Sequence, residues 1–128
     1  MKLRNSVAGL ALRGKEFLIA RRLPGGDQGE KWEFPGGKVR EGESDEDALI
    51  REFEEELAAP IRVLSYLGGG EFVHRDTRFT LRAYRVQLLC RSFTLSAHSQ
   101  WRWASMAELE TLDFADSDRL LFPALSRV

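Results

Sequence analysis

Three glutamates near the middle of the chain, at positions 52, 55 and 56, have a spacing that points to metal chemistry. On an α-helix, residues at i, i+3 and i+4 share one face, so Glu52, Glu55 and Glu56 would bring three carboxylates together. Like charges this close repel each other, and a bound cation offsets the repulsion. Carboxylate oxygens are the ligands that Mg²⁺ and Mn²⁺ prefer. The spacing therefore predicts a divalent-metal site and chemistry on phosphate groups.

The residues around this triplet strengthen the prediction. Arg51 can hold a carboxylate in place through a bidentate ion pair, and Glu43 can orient Arg51 or a water molecule. Upstream, Pro35-Gly36-Gly37 forms a loop whose glycines let the backbone approach a metal or a phosphate closely. An acidic run such as 54–56 is usually a solvated helix face when it occurs alone. Here it is joined to Arg51, Glu43 and the glycines at fixed offsets, which favours a site.

One amphipathic helix must position the acidic residues. Ser44 is suited to cap its N-terminus, and Pro60 predicts where it ends. The core-facing stripe follows the i, i+4, i+8 spacing and consists of Leu49, Phe53 and Leu57. With that stripe buried, Glu52 and Glu56 point sideways, toward the loop at 36–37.

Short apolar segments on both sides of this helix predict strands. The predicted strands are 7–12 and 16–22, joined as a hairpin, then 32–34, 61–67, 72–74, 79–89 and 101–104. A helical turn is predicted at 106–109 and a terminal helix at 117–126. This order predicts an α+β fold, with a mixed β-sheet sandwiched between helices (α/β/α), in a single domain over residues 1–128.

Composition excludes several classes of protein. The formal net charge of −1 is not the polybasic signature of a protein that binds duplex nucleic acid or an anionic membrane. No apolar run approaches the roughly 18 residues that a membrane span needs, and the N-terminus has no signal-peptide core. The single cysteine, Cys90, excludes an internal disulfide and suits a reducing cytosol. We therefore expect a cytoplasmic protein, a monomer or a homodimer, that acts on a small molecule.

The acidic helix and its loop resemble the Nudix box. The pattern of that family is Gly, five residues, Glu, seven residues, Arg-Glu, an aliphatic or aromatic residue, any residue, Glu-Glu, any residue, Gly and an aliphatic residue. Residues 37–56 match it at every specified position. Only its last two positions depart, with Ala58 in place of glycine and Ala59 in place of a larger apolar residue. Neither supplies a ligand, although a left-handed Ala58 would lose roughly 1 kcal/mol.

Segments outside the box resemble the MutT-type branch of the family. These segments are 19–22, 32–38, 103–105 and 115–116. The resemblance implies an enzyme that uses Mg²⁺ or Mn²⁺ and an activated water to cleave a nucleoside triphosphate to the monophosphate and pyrophosphate. An oxidised nucleotide such as 8-oxo-dGTP is the first candidate substrate. The alternatives are a pyrophosphatase for CTP-type, dinucleotide or nucleotide-sugar substrates, and a non-catalytic nucleotide-binding module.

The resemblance also implies roles, residue by residue. The metal ligands would be the backbone carbonyl of Gly36 and the side chains of Glu52, Glu55 and Glu56. Glu52 would be the base that activates water, with Glu43 or Glu55 as alternatives, and Arg51 would support it. The nucleotide would contact Arg22, Glu33, Phe34, Pro35 and Asp116. Three of these residues also suit other roles. Phe34 could equally well be a core residue, Arg22 could be a solvated residue at the end of a strand, and Asp116 could cap a helix.

Two features of the second half bear on this site. Several members of the family have a further metal-binding glutamate before the late tryptophan, but residues 95–100 contain no carboxylate. The metal set is therefore expected to differ there, and His98 is interpreted as a loop residue. Phe72, His74 and Tyr84 are interpreted as strand-packing residues in preference to base contacts.

Overall fold

The structure, a computed structural model, describes residues 1–126 and 128, and seven strands in this part of the chain form a mixed sheet. The strands are β1 Lys2–Arg13, β2 Glu16–Arg22, β3 Trp32–Glu33, β4 Gly36–Lys38, β5 Ile61–His74, β6 Thr77–Leu88 and β7 His98–Ser105. The main path runs β3-β2-β1-β6-β5, with β4 beside β1 and β7 beside β2. The β1–β6 pair is parallel and the other pairs are antiparallel. The predicted hairpin forms around Gly14.

Helices cover both faces of the sheet. They are α1 Asp45–Leu57, α2 Met106–Thr111, α3 Asp116–Arg119 and α4 Phe122–Leu125. The stripe of α1 packs against one face of β1 and β2, through residues that include Val7, Ala11 and Leu18. The alternate residues of the same strands, with Leu10 and Ile19 among them, pack against α2 and α4. Residues i and i+1 of a strand face opposite ways, so the strands build two cores and the α/β/α sandwich follows.

Among the described residues, no helix combines the length and the apolar character that crossing a membrane requires.

Two predicted segments are divided differently in the structure. The segments 61–67 and 72–74 form one strand, β5, because β6 pairs with it along its whole length and two bulges absorb the irregular backbone around Gly68. The predicted terminal helix divides into α3 and α4. Pro123 lies in the first turn of α4, where its missing N–H is tolerated, so a second helix begins there.

The ends of α1 are set by its flanking residues. The Oγ of Ser44 accepts a hydrogen bond from the Asp47 N–H at 3.1 Å, as predicted for the N-cap. The helix ends at Leu57, earlier than Pro60 predicts, and the C-cap residue Ala58 is left-handed with φ 51° and ψ 40°. The Ala58 N–H donates to the Glu54 carbonyl and the Ala59 N–H to the Phe53 carbonyl, a Schellman-type end.

We expect the substitution Ala58→Gly to stabilise the fold by about 1 kcal/mol, because glycine adopts the left-handed conformation without the Cβ clash. Urea unfolding should show a higher midpoint with an unchanged slope. Ala59→Gly is the matched control, since Ala59 is fully buried and has no positive φ; it should destabilise by about 1 kcal/mol. A lower midpoint for Ala58→Gly would contradict the assignment of strain to this position.

Candidate active site

The acidic face of α1 forms one wall of a cleft of about 590 Å³. Strand ends and loops form the rest of it. The cleft is lined by Arg22, Leu23, Pro24, Gly25, Glu33, Gly36, Glu52, Glu55, Glu56, Ser96, Ala97 and His98. The structure therefore brings together the four predicted metal ligands and two of the predicted substrate residues.

Arg51 organises the acidic residues. Its Nε and Nη2 donate to the two carboxylate oxygens of Glu43, each at 2.8 Å, and its Nη1 donates to Glu52 at 2.8 Å and to Glu55 at 3.2 Å. The bidentate bond to Arg51, followed by the Arg40 N–H, lowers the pKa of Glu43 to about 2. Glu43 does not line the cleft. It therefore orients Arg51, as one of the predicted roles requires.

The N-terminus of α1 is tied to the sheet by Asp45. Arg82 donates to both Asp45 oxygens, at 2.6 and 2.7 Å, and the Tyr84 hydroxyl donates at 2.6 Å. These bonds to the charged form, led by the one from Arg82, lower the pKa of Asp45. Tyr84 thus anchors the helix, and Phe72 stacks on Phe79 in the β5–β6 hairpin, so both are packing residues as expected.

The glycine loop lies against the Glu52 carboxylate. A Cβ on Gly37 would lie 2.7 Å from the carboxyl carbon of Glu52, and one on Gly36 would lie 2.1 Å from the Val7 carbonyl oxygen. Only glycine fits at position 36, where the Cβ would meet backbone and φ is +152°, whereas a Cβ at position 37 would displace the Glu52 carboxylate. The loop and the helix therefore approach each other as the sequence predicts.

Glu56 is a buried carboxylate without a hydrogen-bond partner for its Oε1 among the described residues, and it is 7% exposed. Burial, the adjacent Glu52 carboxylate and the negative charge of Glu33 raise its pKa to about 10. A cation would satisfy the orphaned oxygen and remove the repulsion that disfavours its charged form. These residues therefore fit a divalent metal.

His98 lies in the cleft wall, where the sequence analysis expected a loop residue. It is 5% exposed, and its Nε2 lies 2.8 Å from Glu33 Oε2 and 3.6 Å from Glu56 Oε1. The reason is a β-bulge: β7 pairs with β2 as Arg21↔Gln100 and then Arg22↔His98, so Ser99 is an extra residue. The bulge breaks the alternation of the strand and turns His98 inward. His98 is the first residue of β7, and no feature of the sequence indicated the bulge that follows it.

A second pocket of about 190 Å³ shares Arg22, Glu33 and Gly36 with the cleft. Its inner wall includes Asp118, whose Oδ2 accepts a hydrogen bond from the Phe34 N–H at 2.8 Å. Burial, and then the charge of Glu33, raise the pKa of Asp118 to about 7. No motif in the sequence singled out Asp118 as a pocket residue.

Asp116 lies outside both pockets. Its side chain is 75% exposed and contacts Lys31 at 3.4 Å and Gln28 at 3.2 Å. Two residues along a helix rotate the side chain by about 200°, so α3 directs Asp116 to solvent and Asp118 inward. Of the two aspartates, the structure therefore brings Asp118 to the pocket.

The other predicted substrate residues divide between pocket and core. Arg22 Nη1 donates to Glu33 Oε1 at 3.0 Å, and both line the two pockets. Phe34 also borders the smaller pocket, but its ring is 2% exposed and packs on Phe114. Pro35 is buried, its carbonyl accepts a hydrogen bond from the Gly9 N–H at 2.8 Å, and it lines neither pocket.

We expect Asp118→Asn to flatten the pH dependence of stability. The folded-state pKa of Asp118, about 7, lies above its ordinary 3.8, so its stabilising contribution is complete below about pH 4 and is lost as the pH rises through 7. The loss is at most about 1.4 kcal/mol per pH unit. Asparagine keeps an oxygen for the Phe34 N–H but does not titrate. Urea unfolding between pH 4 and 8 measures how the free energy of unfolding depends on pH, with Asp116→Asn as the exposed control. If this pH dependence in Asp118→Asn equals that of the wild type, the prediction is wrong.

Comparison with known proteins is consistent with this geometry. A family model described as the NUDIX domain matches residues 2–125. A Mycobacterium tuberculosis protein provisionally named 8-oxo-dGTP diphosphatase 2 is 37% identical, over 94% of this chain and 86% of its own. The CTP pyrophosphohydrolase of Escherichia coli is 32% identical, over 97% and 92%. The crystal structure of the MutT protein from Methanosarcina mazei superposes with a TM-score of 0.86 at 25% identity, over 98% and 94% of the two chains. The predicted sandwich fold is thereby confirmed.

Proposed function

Because this chain belongs to the NUDIX family and is a pyrophosphohydrolase, we propose that it cleaves a nucleoside triphosphate to the monophosphate and pyrophosphate. The observation that carries the proposal is the continuity of the acidic cleft with the smaller pocket, which share Arg22, Glu33 and Gly36. A triphosphate needs the acidic side, where a cation can be held. The nucleobase needs the smaller pocket, where a buried polar group can select it.

The cation would be held by Glu52, Glu55, Glu56 and the carbonyl of Gly36. We propose Mg²⁺, with Mn²⁺ as the alternative, because all of these donors are oxygens. Such an ion supplies Lewis-acid chemistry, since it makes water more acidic and neutralises phosphate charge. The orphaned Oε1 of Glu56 and the crowded carboxylates support this assignment.

The side chains of this enzyme would orient and deprotonate the attacking water. Glu52 is the proposed base, because it lines the cleft and Arg51 holds its carboxylate at 2.8 Å. Arg22 is placed at the junction of the two pockets, where its guanidinium can bind a phosphate. Its 3.0 Å bond to Glu33 keeps that side chain in position.

The proposed base-selecting residue is Asp118. As a carboxylate it can accept a hydrogen bond from an amino group such as N4 of cytosine, and as a carboxylic acid it can donate to a carbonyl oxygen. With its pKa near 7, both forms are present at neutral pH. This supports an oxidised guanine nucleotide such as 8-oxo-dGTP as the first candidate and a cytidine triphosphate as the second; the similar proteins carry both names.

A substrate panel tests the proposal. It contains 8-oxo-dGTP, dGTP, CTP, a dinucleotide and a nucleotide sugar, with Mg²⁺ and with a chelator in its place. The expected products are a nucleoside monophosphate and pyrophosphate, formed only with metal. No turnover of any triphosphate would overturn the proposal. Metal-dependent binding without hydrolysis would favour the non-catalytic module instead.

Three statements about the whole protein stay predictions of the sequence. They are the single domain over residues 1–128, the cytoplasmic location and the monomeric or homodimeric state. Light scattering on the purified protein tests the last of these.

A further inference from the structure

Three side chains in the cleft wall bring potential metal ligands together away from the Arg51 cluster. One ligand atom from each of Glu33, Glu56 and His98 lies within 4.8 Å of the other two. His98 Nε2 is 2.8 Å from Glu33 Oε2 and 3.6 Å from Glu56 Oε1. The set contains a nitrogen donor, whereas the donors around Arg51 are all oxygens.

The three groups are enclosed and incompletely paired. The side chain of His98 is 1% exposed and that of Glu56 is 9% exposed. Among the described residues, Glu56 Oε1 has no hydrogen-bond partner. Glu33 is fixed on both sides, because its Oε1 accepts a hydrogen bond from Arg22 and its Oε2 is hydrogen-bonded to His98 Nε2. A buried, unpartnered oxygen is costly unless something binds it.

The distances between the donors are those of neighbouring ligands on one ion. Neighbouring ligands of a six-coordinate ion with bonds of about 2.1 Å lie about 3 Å apart. The distances from His98 Nε2 to the Glu33 and Glu56 oxygens, 2.8 and 3.6 Å, lie on either side of that value. An imidazole nitrogen binds ions such as Mn²⁺, Co²⁺ and Zn²⁺ better than it binds Mg²⁺.

We propose that Glu33, Glu56 and His98 form a second cation position, which takes a divalent transition-metal ion in preference to Mg²⁺. This deepens the proposed function, because Glu56 also belongs to the ligand set of Glu52, Glu55 and Gly36. Its carboxylate has two oxygens, and Oε1 is the one that faces His98. The position also joins the acidic cleft to Glu33, which lines the smaller pocket as well.

Pulsed electron paramagnetic resonance on the full chain tests the proposal without turnover. One equivalent of Mn²⁺ is added in the presence of excess Mg²⁺ and the absence of nucleotide. We expect electron spin-echo modulation from a directly bound ¹⁴N in the wild-type protein. His98→Gln should abolish it. His74→Gln is the matched control, since His74 is the other histidine of the chain and is exposed, and it should leave the modulation unchanged.

Titration calorimetry supplies a second measurement. His98→Gln should weaken Mn²⁺ binding at least about tenfold and leave Mg²⁺ binding near the wild-type value. Circular dichroism checks folding, and if His98→Gln is unfolded, Glu33→Gln replaces it and should weaken Mn²⁺ binding while keeping the nitrogen modulation. Absence of Mn²⁺ binding, absence of ¹⁴N modulation in the wild type, or its persistence in folded His98→Gln would each overturn the proposal.

The two proposals fail in distinguishable ways. A nitrogen-bound Mn²⁺ in a protein that hydrolyses no triphosphate would overturn the proposed substrate class only. Hydrolysis with Mg²⁺ in a protein that shows no nitrogen-bound Mn²⁺ would overturn the second cation position only.

Discussion

We expect the substitution Glu56→Gln to lower the turnover number at least about 100-fold, which corresponds to a loss of about 3 kcal/mol of transition-state stabilisation. The amide is nearly isosteric with the carboxyl group but cannot become an anion, so it neither neutralises a cation nor binds it strongly. Glu56 is the most buried of the three helix glutamates, and its Oε1 has no other partner among the described residues. Its loss from the ligand set should therefore have a large effect.

The fold should survive this substitution. Without metal, the pKa of Glu56 is about 10, so the buried carboxyl group is uncharged at neutral pH and glutamine resembles it. We expect the melting temperature of the metal-free variant to equal or exceed that of the wild type, while the stabilisation by added metal is lost.

Steady-state kinetics with saturating metal and a thermal melt with and without metal measure both effects. Glu54→Gln is the matched control, because Glu54 is exposed on the same helix and does not line the cleft; its turnover should stay within about twofold of the wild type. Wild-type turnover in Glu56→Gln would rule out Glu56 as a needed ligand.

Replacing Glu52 by glutamine should also lower the turnover number at least about 100-fold, because a positioned general base contributes roughly 10²–10⁴-fold. Glu52 lies in the cleft, in contact distance of Gly37, with one oxygen held by Arg51 at 2.8 Å. The carboxylate also adjoins that of Glu56 and faces the cleft, where it could accept the proton of the attacking water.

The two rival bases are less well placed. Glu43 is outside the cleft, and Arg51 lowers its pKa to about 2, which makes it a poor proton acceptor. Glu55 lies in the cleft, but its side chain is 51% exposed and Arg51 and Arg40 both contact it. Glu43→Gln and Glu55→Gln should therefore reduce turnover less than Glu52→Gln does.

Metal affinity, measured in parallel, separates the loss of a base from the loss of a ligand. If Glu52→Gln keeps its metal and loses turnover, the role as a base stands. A larger loss in Glu43→Gln or Glu55→Gln than in Glu52→Gln would transfer the role of base to that residue.

The amino-acid sequence by itself determined the orientation of α1 and both of its ends, because these depend on residues that are close together in the chain. The stripe Leu49, Phe53 and Leu57 is fully buried, and it is enough to orient α1 and so to aim Glu52 and Glu56. The cap at Ser44 and the left-handed conformation at Ala58 are likewise local, because caps are set by residues within one helical turn. The glycine loop can lie against Glu52 because Gly37 has no side chain to occupy that space.

Only the tertiary structure decided which residues from distant segments reach the cleft. His98 faces Glu56 because Ser99 is an extra residue in the bulge opposite Arg21 and Arg22, so the alternation of β7 is broken between Gln100 and His98. Register between strands far apart in sequence leaves no periodic signal in either strand. The segment 95–100, which lacks a carboxylate, thus still brings the imidazole of His98 into the cleft wall.

The choice between Asp116 and Asp118 was decided in the same way. Both residues belong to α3, and the pattern of so short a helix does not show which of them faces the sheet. The docking of α3 beside Phe34 buries Asp118 and leaves Asp116 against Gln28 and Lys31. The local spacing of the carboxylates therefore determined the acidic wall of the cleft, whereas packing between elements determined which residues line the smaller pocket, because long-range contacts fix that geometry.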